Sequence, residues 1–231
     1  MQTKFMQIVL LLVGVAALGS AIARAQTDVA ASLYGAFNGS TNGNNVMQSP
    51  SNAAGGMLEI RHIVNPLIGY EGAYSINRAN QTYSSATYAV CGVCAASTWW
   101  SPVSANAHEV SGDWVVSLKI RNLRPFALAG GGILFDVPSS GQTTITTTIT
   151  ACGTAPGCVL GTTTSSTSTR SATKPVFVYG VGADWGLLPH IGLRFQYRGN
   201  LYKAPNLAAF YTSTDAFTHT AEPMIGAYFR F

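Results

Sequence analysis

Alternation at period two runs through most of the chain, and it restricts the fold more than any other feature. In residues 223–231, Pro223, Ile225, Ala227, Phe229 and Phe231 share one face of an extended strand. Met224, Gly226, Tyr228 and Arg230 share the other. Residues 191–198 set Ile191, Leu193, Phe195 and Tyr197 against Arg194, Gln196 and Arg198. A repeat of two is the signature of a strand with one apolar and one polar side. It recurs at 29–38, 58–64, 68–77, 113–121, 127–137 and 177–187, which makes eight strands with the two above. After residue 25 no apolar run approaches the ~20 residues that a membrane helix needs. Asp, Glu, Lys and Arg make up 10% of the chain, where soluble domains carry about 25%. Low charge combined with 24 Gly, 10 Phe and 10 Tyr suits strands that cross lipid.

Residues 1–25 read as a secretory signal peptide rather than part of the fold. Lys4 supplies the positive end, residues 8–18 are apolar, and Ala23-Arg24-Ala25 matches a small-x-small cleavage pattern. Residues 26–231 are left as one barrel domain. Without Lys4 and Arg24 that domain has 11 basic and 9 acidic residues, a balance that makes no electrostatic case for a nucleic-acid partner.

The connections alternate in length. Segments 39–56, 79–108, 138–175 and 203–219 are long and polar, whereas 65–66, 122–125 and 188–190 are short turns. Long loops at one rim and short turns at the other are the asymmetry of a transmembrane barrel. Closure follows because an open sheet edge in lipid leaves N–H and C=O groups without partners, each costing several kcal/mol. The expected fold is all-β, an eight-stranded antiparallel transmembrane barrel with long extracellular loops and short periplasmic turns.

Eight strands enclose an interior just wide enough for side chains to fill. Counting back from Pro189 sets Asp184 opposite Arg194, and counting back from Pro66 sets Arg61 opposite Glu71. Glu59, Lys119, Arg121 and Arg230 are expected on the same inward face. Acid–base pairing is the expected answer to charge in a narrow lumen, and it yields a plugged core; charge rings that line a pore are the alternative. Trp114, Trp185, Tyr197 and Phe231 suit an interfacial aromatic girdle.

Cys91 and Cys94 fall in one long segment, Cys152 and Cys158 in another. Four cysteines permit three connectivities. Local pairing, 91–94 with 152–158, is expected first and cross-loop bridging second. The 138–175 segment is rich in Thr, which favours strands, so it reads as a hairpin with a disulfide near its tip. Trp99, Trp100 and Tyr211 stand among small polar residues, the mixture of an adaptable contact surface. No metal site, cofactor or catalytic residue is expected. Ser213, Asp215, His219, His108 and Glu109 gather near the outer rim, but no nucleophile motif surrounds them.

The stretches Gly182-Ala183-Asp184-Trp185-Gly186, residues 192–198 and the closing Ala227-Tyr228-Phe229-Arg230-Phe231 resemble the small outer-membrane barrels of the OmpA/OmpX and opacity type. The resemblance covers essentially all of 27–231. It implies a bacterial outer-membrane location, embedding in outer-membrane lipid, and Phe231 with Phe229 as a signal read by the barrel-assembly machinery. It also implies a non-enzymatic structural or surface role, adhesion or ligand contact through the loops. A small-solute porin is the second reading, and a hydrolase or acyltransferase at the rim the third. The chain ends at Phe231 without the peptidoglycan-binding domain of full-length OmpA-type proteins, so cell-wall tethering is not expected. Deleting Phe231 or replacing it with Asp is expected to lower the yield of folded barrel sharply. Heat-modifiable gel mobility checks this, and normal mobility in the variant contradicts it.

Overall fold

The computed structural model describes residues 26–65, 67–85, 88–90, 95–152, 158–210 and 213–231. For 88–90, 95–97, 149–152 and 158–160 only the backbone is considered. Among these residues every regular element is a strand. The first eight are β1 (Gln26–Asn38), β2 (Thr41–Gly43), β3 (Val46–Pro50), β4 (Ala53–Ile63), β5 (Ile68–Arg78), β6 (Gln81–Ser85), β7 (Tyr88–Val90) and β8 (Ala95–Val103). They are followed by β9 (Ala105–Ser117), β10 (Leu123–Pro138), β11 (Gln142–Cys152), β12 (Cys158–Ser168), β13 (Ala172–Gly186), β14 (Ile191–Lys203) and β15 (Phe217–Arg230).

Eight of them form a closed antiparallel barrel in the order β1-β15-β14-β13-β10-β9-β5-β4, with β4 returning to β1. The seam holds to the last residue, where the Phe231 N–H donates to the Thr27 carbonyl at 3.0 Å. These strands correspond to the eight read from alternation, but several run further at the loop end. β9 begins at Ala105 and β14 continues to Lys203.

Burial is inverted relative to a soluble domain. Leu33, Trp114, Val116, Val181 and Ile225 are more than half exposed, whereas Arg61, Arg194, Arg198 and Glu59 are fully buried. A large apolar side chain left in water forgoes about 1.5–3 kcal/mol relative to burial. A whole belt of them is stable only against lipid.

The short turns have local causes. Asn65 Oδ1 accepts hydrogen bonds from the N–H groups of Leu67 (3.0 Å) and Ile68 (2.8 Å), a side-chain mimic of a backbone turn. Between β9 and β10, Ile120 and Leu123 bridge across Arg121 and Asn122, with Arg121 at φ 54°. Two expectations fail here. Lys119 and Arg121 do not face the lumen; both are exposed. β9 ends at Ser117, so alternation stops before Lys119, and the turn falls earlier than 122–125. Arg124 takes a buried inward position instead.

The long segments are not irregular loops. β2, β3, β6, β8, β11 and β12 pair into a second sheet of order β12-β11-β8-β6-β3-β2, with β7 also paired to β8. Asn44 and Asn45, at φ 49° and 63°, make the β2–β3 turn, where both central residues of a tight hairpin need positive φ. The inner face of this sheet buries Val46, Tyr83, Val103 and Ile145 against Leu207 and Ala208 from the β14–β15 connection. Tyr83 Oη donates to the Pro205 carbonyl at 2.9 Å and accepts from the Leu207 N–H at 3.0 Å. Part of segment 203–219, expected as an exposed loop, is therefore the packed underside of a cap over the barrel.

Candidate functional site

The lumen is filled by an arginine–carboxylate lattice. Hairpin register sets Arg61 on β4 across from Glu71 on β5, and Asp184 on β13 across from Arg194 on β14. Arg61 lies 2.6 Å from Glu71 through Nη2 and 3.2 Å from Asp184 through Nη1. Arg194 lies 2.8 Å from Asp184 through Nε, and its Nη1 reaches Glu71 at 3.4 Å and Glu59 at 3.5 Å. Ser32 Oγ donates to Glu59 at 3.0 Å. The two expected pairs are thus joined across the lumen into one network.

A second level stands on Arg198. Its Nη2 is 3.1 Å from Glu109 and 3.3 Å from Asp113, and it also donates to Ser111. Asn200 Nδ2 donates to the other Glu109 oxygen at 2.8 Å. At the short-turn rim, Arg230 Nε donates to Asp28 at 2.9 Å and Arg124 Nη2 to Gln26 at 3.0 Å.

Packing holds the lattice in place. The Arg61 guanidinium lies 3.9 Å from the centre of the Phe126 ring, a cation–π arrangement. Phe126 in turn occupies the space over Gly182, where an added Cβ would come within 2.5 Å of the ring edge and of the Phe195 carbonyl. The side chains of Arg61, Glu71, Asp184 and Arg194 have no exposure at all. A water-filled channel at this level would wet its own lining, and these four side chains are dry.

Arg198 and Glu109 were not singled out as a lumen pair from the sequence. They sit on β14 and β9, which are not neighbours in the barrel, so no hairpin count connects them. The only signal for Arg198 was its place on the polar face with Arg194.

The rim residues do not assemble. His108 Nδ1 bonds Tyr74 Oη at 2.9 Å, whereas Glu109, one residue on, faces Arg198 inside. His219 Nε2 bonds Tyr179 Oη at 2.8 Å. Lys203 Nζ donates to Asp215 at 2.7 Å; this hydrogen bond and the lysine's charge hold the exposed Asp215 carboxyl below its ordinary range. Ser213 Oγ accepts from the Asp215 N–H at 3.1 Å.

In the cap, Trp99 is half-buried and meets Phe210 edge-on at 6.4 Å, while Trp100 is exposed. Tyr211, Cys91 and Cys94 lie outside the described residues. The backbones of Cys152 and Cys158 pair directly, as the last pair of the β11–β12 hairpin. The Phe229 and Phe231 rings pack edge-to-face, 5.0 Å apart.

A closed barrel with an apolar outside, a charged and filled inside, and tight turns at one rim is a membrane-spanning β-barrel of the bacterial outer-membrane type. No family model matches the chain, and no curated protein sequence matches it. Solved structures do. The attachment invasion locus protein Ail of Yersinia pestis, solved with the heparin analogue sucrose octasulfate, is 14% identical over 90% of this chain and 100% of that one, with TM-score 0.44. The outer membrane protein OprG from Pseudomonas aeruginosa is 8% identical over 89% and 95%, with TM-score 0.47. The outer membrane protease OmpT from Escherichia coli is 10% identical over 92% and 99%, with TM-score 0.48.

Breaking a buried ion pair from one side strands a charge and costs about 3–5 kcal/mol, whereas replacing both partners costs less. Asp184→Asn is therefore expected to destabilise the barrel by about that amount, and Asp184→Asn with Arg194→Met by less. Urea unfolding of the three proteins checks this, and equal loss in single and double variants contradicts it.

Proposed function

We propose that the protein is a sealed, non-enzymatic barrel of the bacterial outer membrane whose working part is the cap. On this reading residues 1–25 direct secretion, the barrel-assembly machinery inserts the mature chain by its C-terminal strand, and the cap meets an external ligand or surface. The observation that carries the reading is the lattice of fully buried Arg61, Glu71, Asp184 and Arg194. Activity then has to lie outside the lumen, and seven further strands stand there. Trp100, exposed in the cap with Thr146 and Ser84 as its cross-strand neighbours, offers an aromatic anchor among hydroxyls.

A 152–158 disulfide is part of the proposal. Directly paired antiparallel residues have Cα atoms about 4.5–5.5 Å apart, within the ~4.4–6.8 Å that a disulfide spans. Against a rim hydrolase stand the separate partners of His108, His219 and Asp215, since a nucleophile and its base need to be within hydrogen-bond reach.

The purified barrel is expected to give no discrete conductance steps in planar bilayers. Replacing residues 142–168 with a short turn is expected to keep heat-modifiable mobility while abolishing adherence of expressing cells to cultured cells, and Trp100→Ala to weaken adherence without affecting folding. Steps in the unaltered protein would establish the channel reading. A lipid or peptide hydrolysis lost in His219→Ala would establish the enzyme.

A further inference from the structure

The second sheet repeats the strand order of the barrel. Its order β12-β11-β8-β6-β3-β2 follows β13-β10-β9-β5-β4-β1 strand for strand. At β11 and β12 the junction is direct: the β10–β13 ladder ends at Asp136 and Ala172, and the β11–β12 ladder starts at Gln142 and Ser168. The cap thus carries the barrel wall outward from the membrane. Among the described residues β14 and β15 have no counterpart strand in it, so the sheet is open on that side, between an edge at β12 and an edge at β2.

The two edges differ. β2 has 3 residues and runs into the tight turn at Asn44 and Asn45. β12 has 11 residues, paired to β11 in unbroken register from Ser168 to Cys158. Its other side is engaged at the base, where the Ala209 N–H donates to the Ser168 carbonyl at 3.0 Å and the Arg170 N–H to the Leu207 carbonyl at 2.9 Å. Successive residues of a strand direct their backbone groups to opposite edges. Thr162, Thr164 and Ser166 therefore present N–H and C=O on the same side as Ser168, and above Ser168 no strand among the described residues pairs with that side. Residues 161–166 are exposed. Edge strands are ordinarily guarded by shortness, Lys, Pro or a bulge. β2 is short, but β12 has no charged residue, no Pro and no bulge.

We propose that β12 pairs antiparallel with β12 of a second copy of this chain, about a two-fold axis at Thr162, and that the two copies sit in apposed membranes. An identical copy is the partner that an edge always meets at a cell surface, and an uncharged strand does not repel its own copy. The outward backbone groups above Ser168 run from Ser166 to Cys158, with Thr162 at their centre. A two-fold there sets Thr162 opposite Thr162, Thr164 opposite Leu160 and Ser166 opposite Cys158, a closed isologous contact. Antiparallel pairing also fixes the direction of the partner. β12 runs toward its own barrel, so the second barrel has to lie at the far end, in another membrane. A ladder of this length is a small interface, weak singly and effective when many form between two surfaces. The inference rests on the reading of the cap as the part that meets an external surface.

Phosphocholine vesicles carrying the full mature chain test the pairing, with clustering followed by light scattering and by energy transfer between two dye-labelled populations. The unaltered chain is expected to cluster vesicles only when both populations carry it. Thr162→Pro removes an outward N–H and leaves the β11 ladder its donors, so clustering is expected to be lost. Thr162→Lys and Thr162→Glu are each expected to lose clustering, because like charges directly opposite repel, and vesicles of the two variants mixed together are expected to regain it. Ser139→Lys, exposed in the β10–β11 turn, is expected to change nothing. Heat-modifiable mobility checks folding, and the charge variants carry the test should Thr162→Pro not fold. No clustering by the unaltered chain overturns the pairing; adherence of expressing cells to cultured cells would then leave the surface reading standing without it. Clustering with protein-free vesicles means contact with lipid and overturns the pairing too. Clustering that persists in a folded Thr162→Pro, or no recovery in the Lys and Glu mixture, also overturns it.

Discussion

Arginine side chains that share carboxylates across a closed lumen set the conditions for everything else in this molecule. A barrel in lipid has no water outside to solvate polar groups, and eight strands leave little room for water inside. Charge in the interior therefore has to be neutralised by charge. Arg61 and Arg194 meet this demand by each touching more than one acid, so that β4, β5, β13 and β14 are linked across the lumen as well as around the wall. Burying such ions is weak evidence for stability taken alone, because desolvation offsets much of the attraction. Its stronger consequence is specificity. A one-residue slip in any of these strands would turn the charged face toward lipid and the apolar face toward the lattice.

What could be read from the sequence follows the range of the interactions. Alternation along 191–198 and 223–231 exposes both faces of a strand directly, because lipid and lumen impose opposite demands on successive residues. Arg61 against Glu71 and Asp184 against Arg194 depend only on counting through a short turn. Arg61 with Asp184, Arg194 with Glu59, and Arg198 with Glu109 depend on where strands distant in sequence come to lie around the barrel, which no local pattern encodes. Lys119 and Arg121 show the converse error: the alternation in 113–121 continues four residues past the end of β9 at Ser117, into a turn. The second sheet was hidden for another reason. The Thr content of 142–152 and 158–168 marks a hairpin, which the structure contains, but Thr and Ser occupy both faces, so almost no hydropathy contrast reveals that it pairs with β8 in a larger sheet. Leu207 and Ala208, buried beneath that sheet, follow no repeat at all.

The cap changes how the outer surface is understood. Long barrel loops are commonly mobile and variable, but here much of the loop sequence is in paired strands with a hydrophobic underside. Tyr83 fixes the β14–β15 connection through Pro205 and Leu207, so the roof and the barrel wall form one continuous piece. An outer face of paired strands with an exposed Trp among hydroxyls has less entropy to lose on contact than a set of disordered loops would. On the proposed reading the division of labour is physical: the lattice closes the interior, and the cap presents the surface.

Water contact at the lattice is the most direct test of this account. Hydrogen exchange of the arginine Nε–H groups can be followed by NMR in bilayers, with an exposed arginine as reference. The account predicts that Arg61 and Arg194, whose Nε atoms donate to Glu71 and Asp184, exchange far more slowly than exposed Arg121. Exchange at the Arg121 rate would mean a wet lumen, and with it a barrel that is not sealed by its charges.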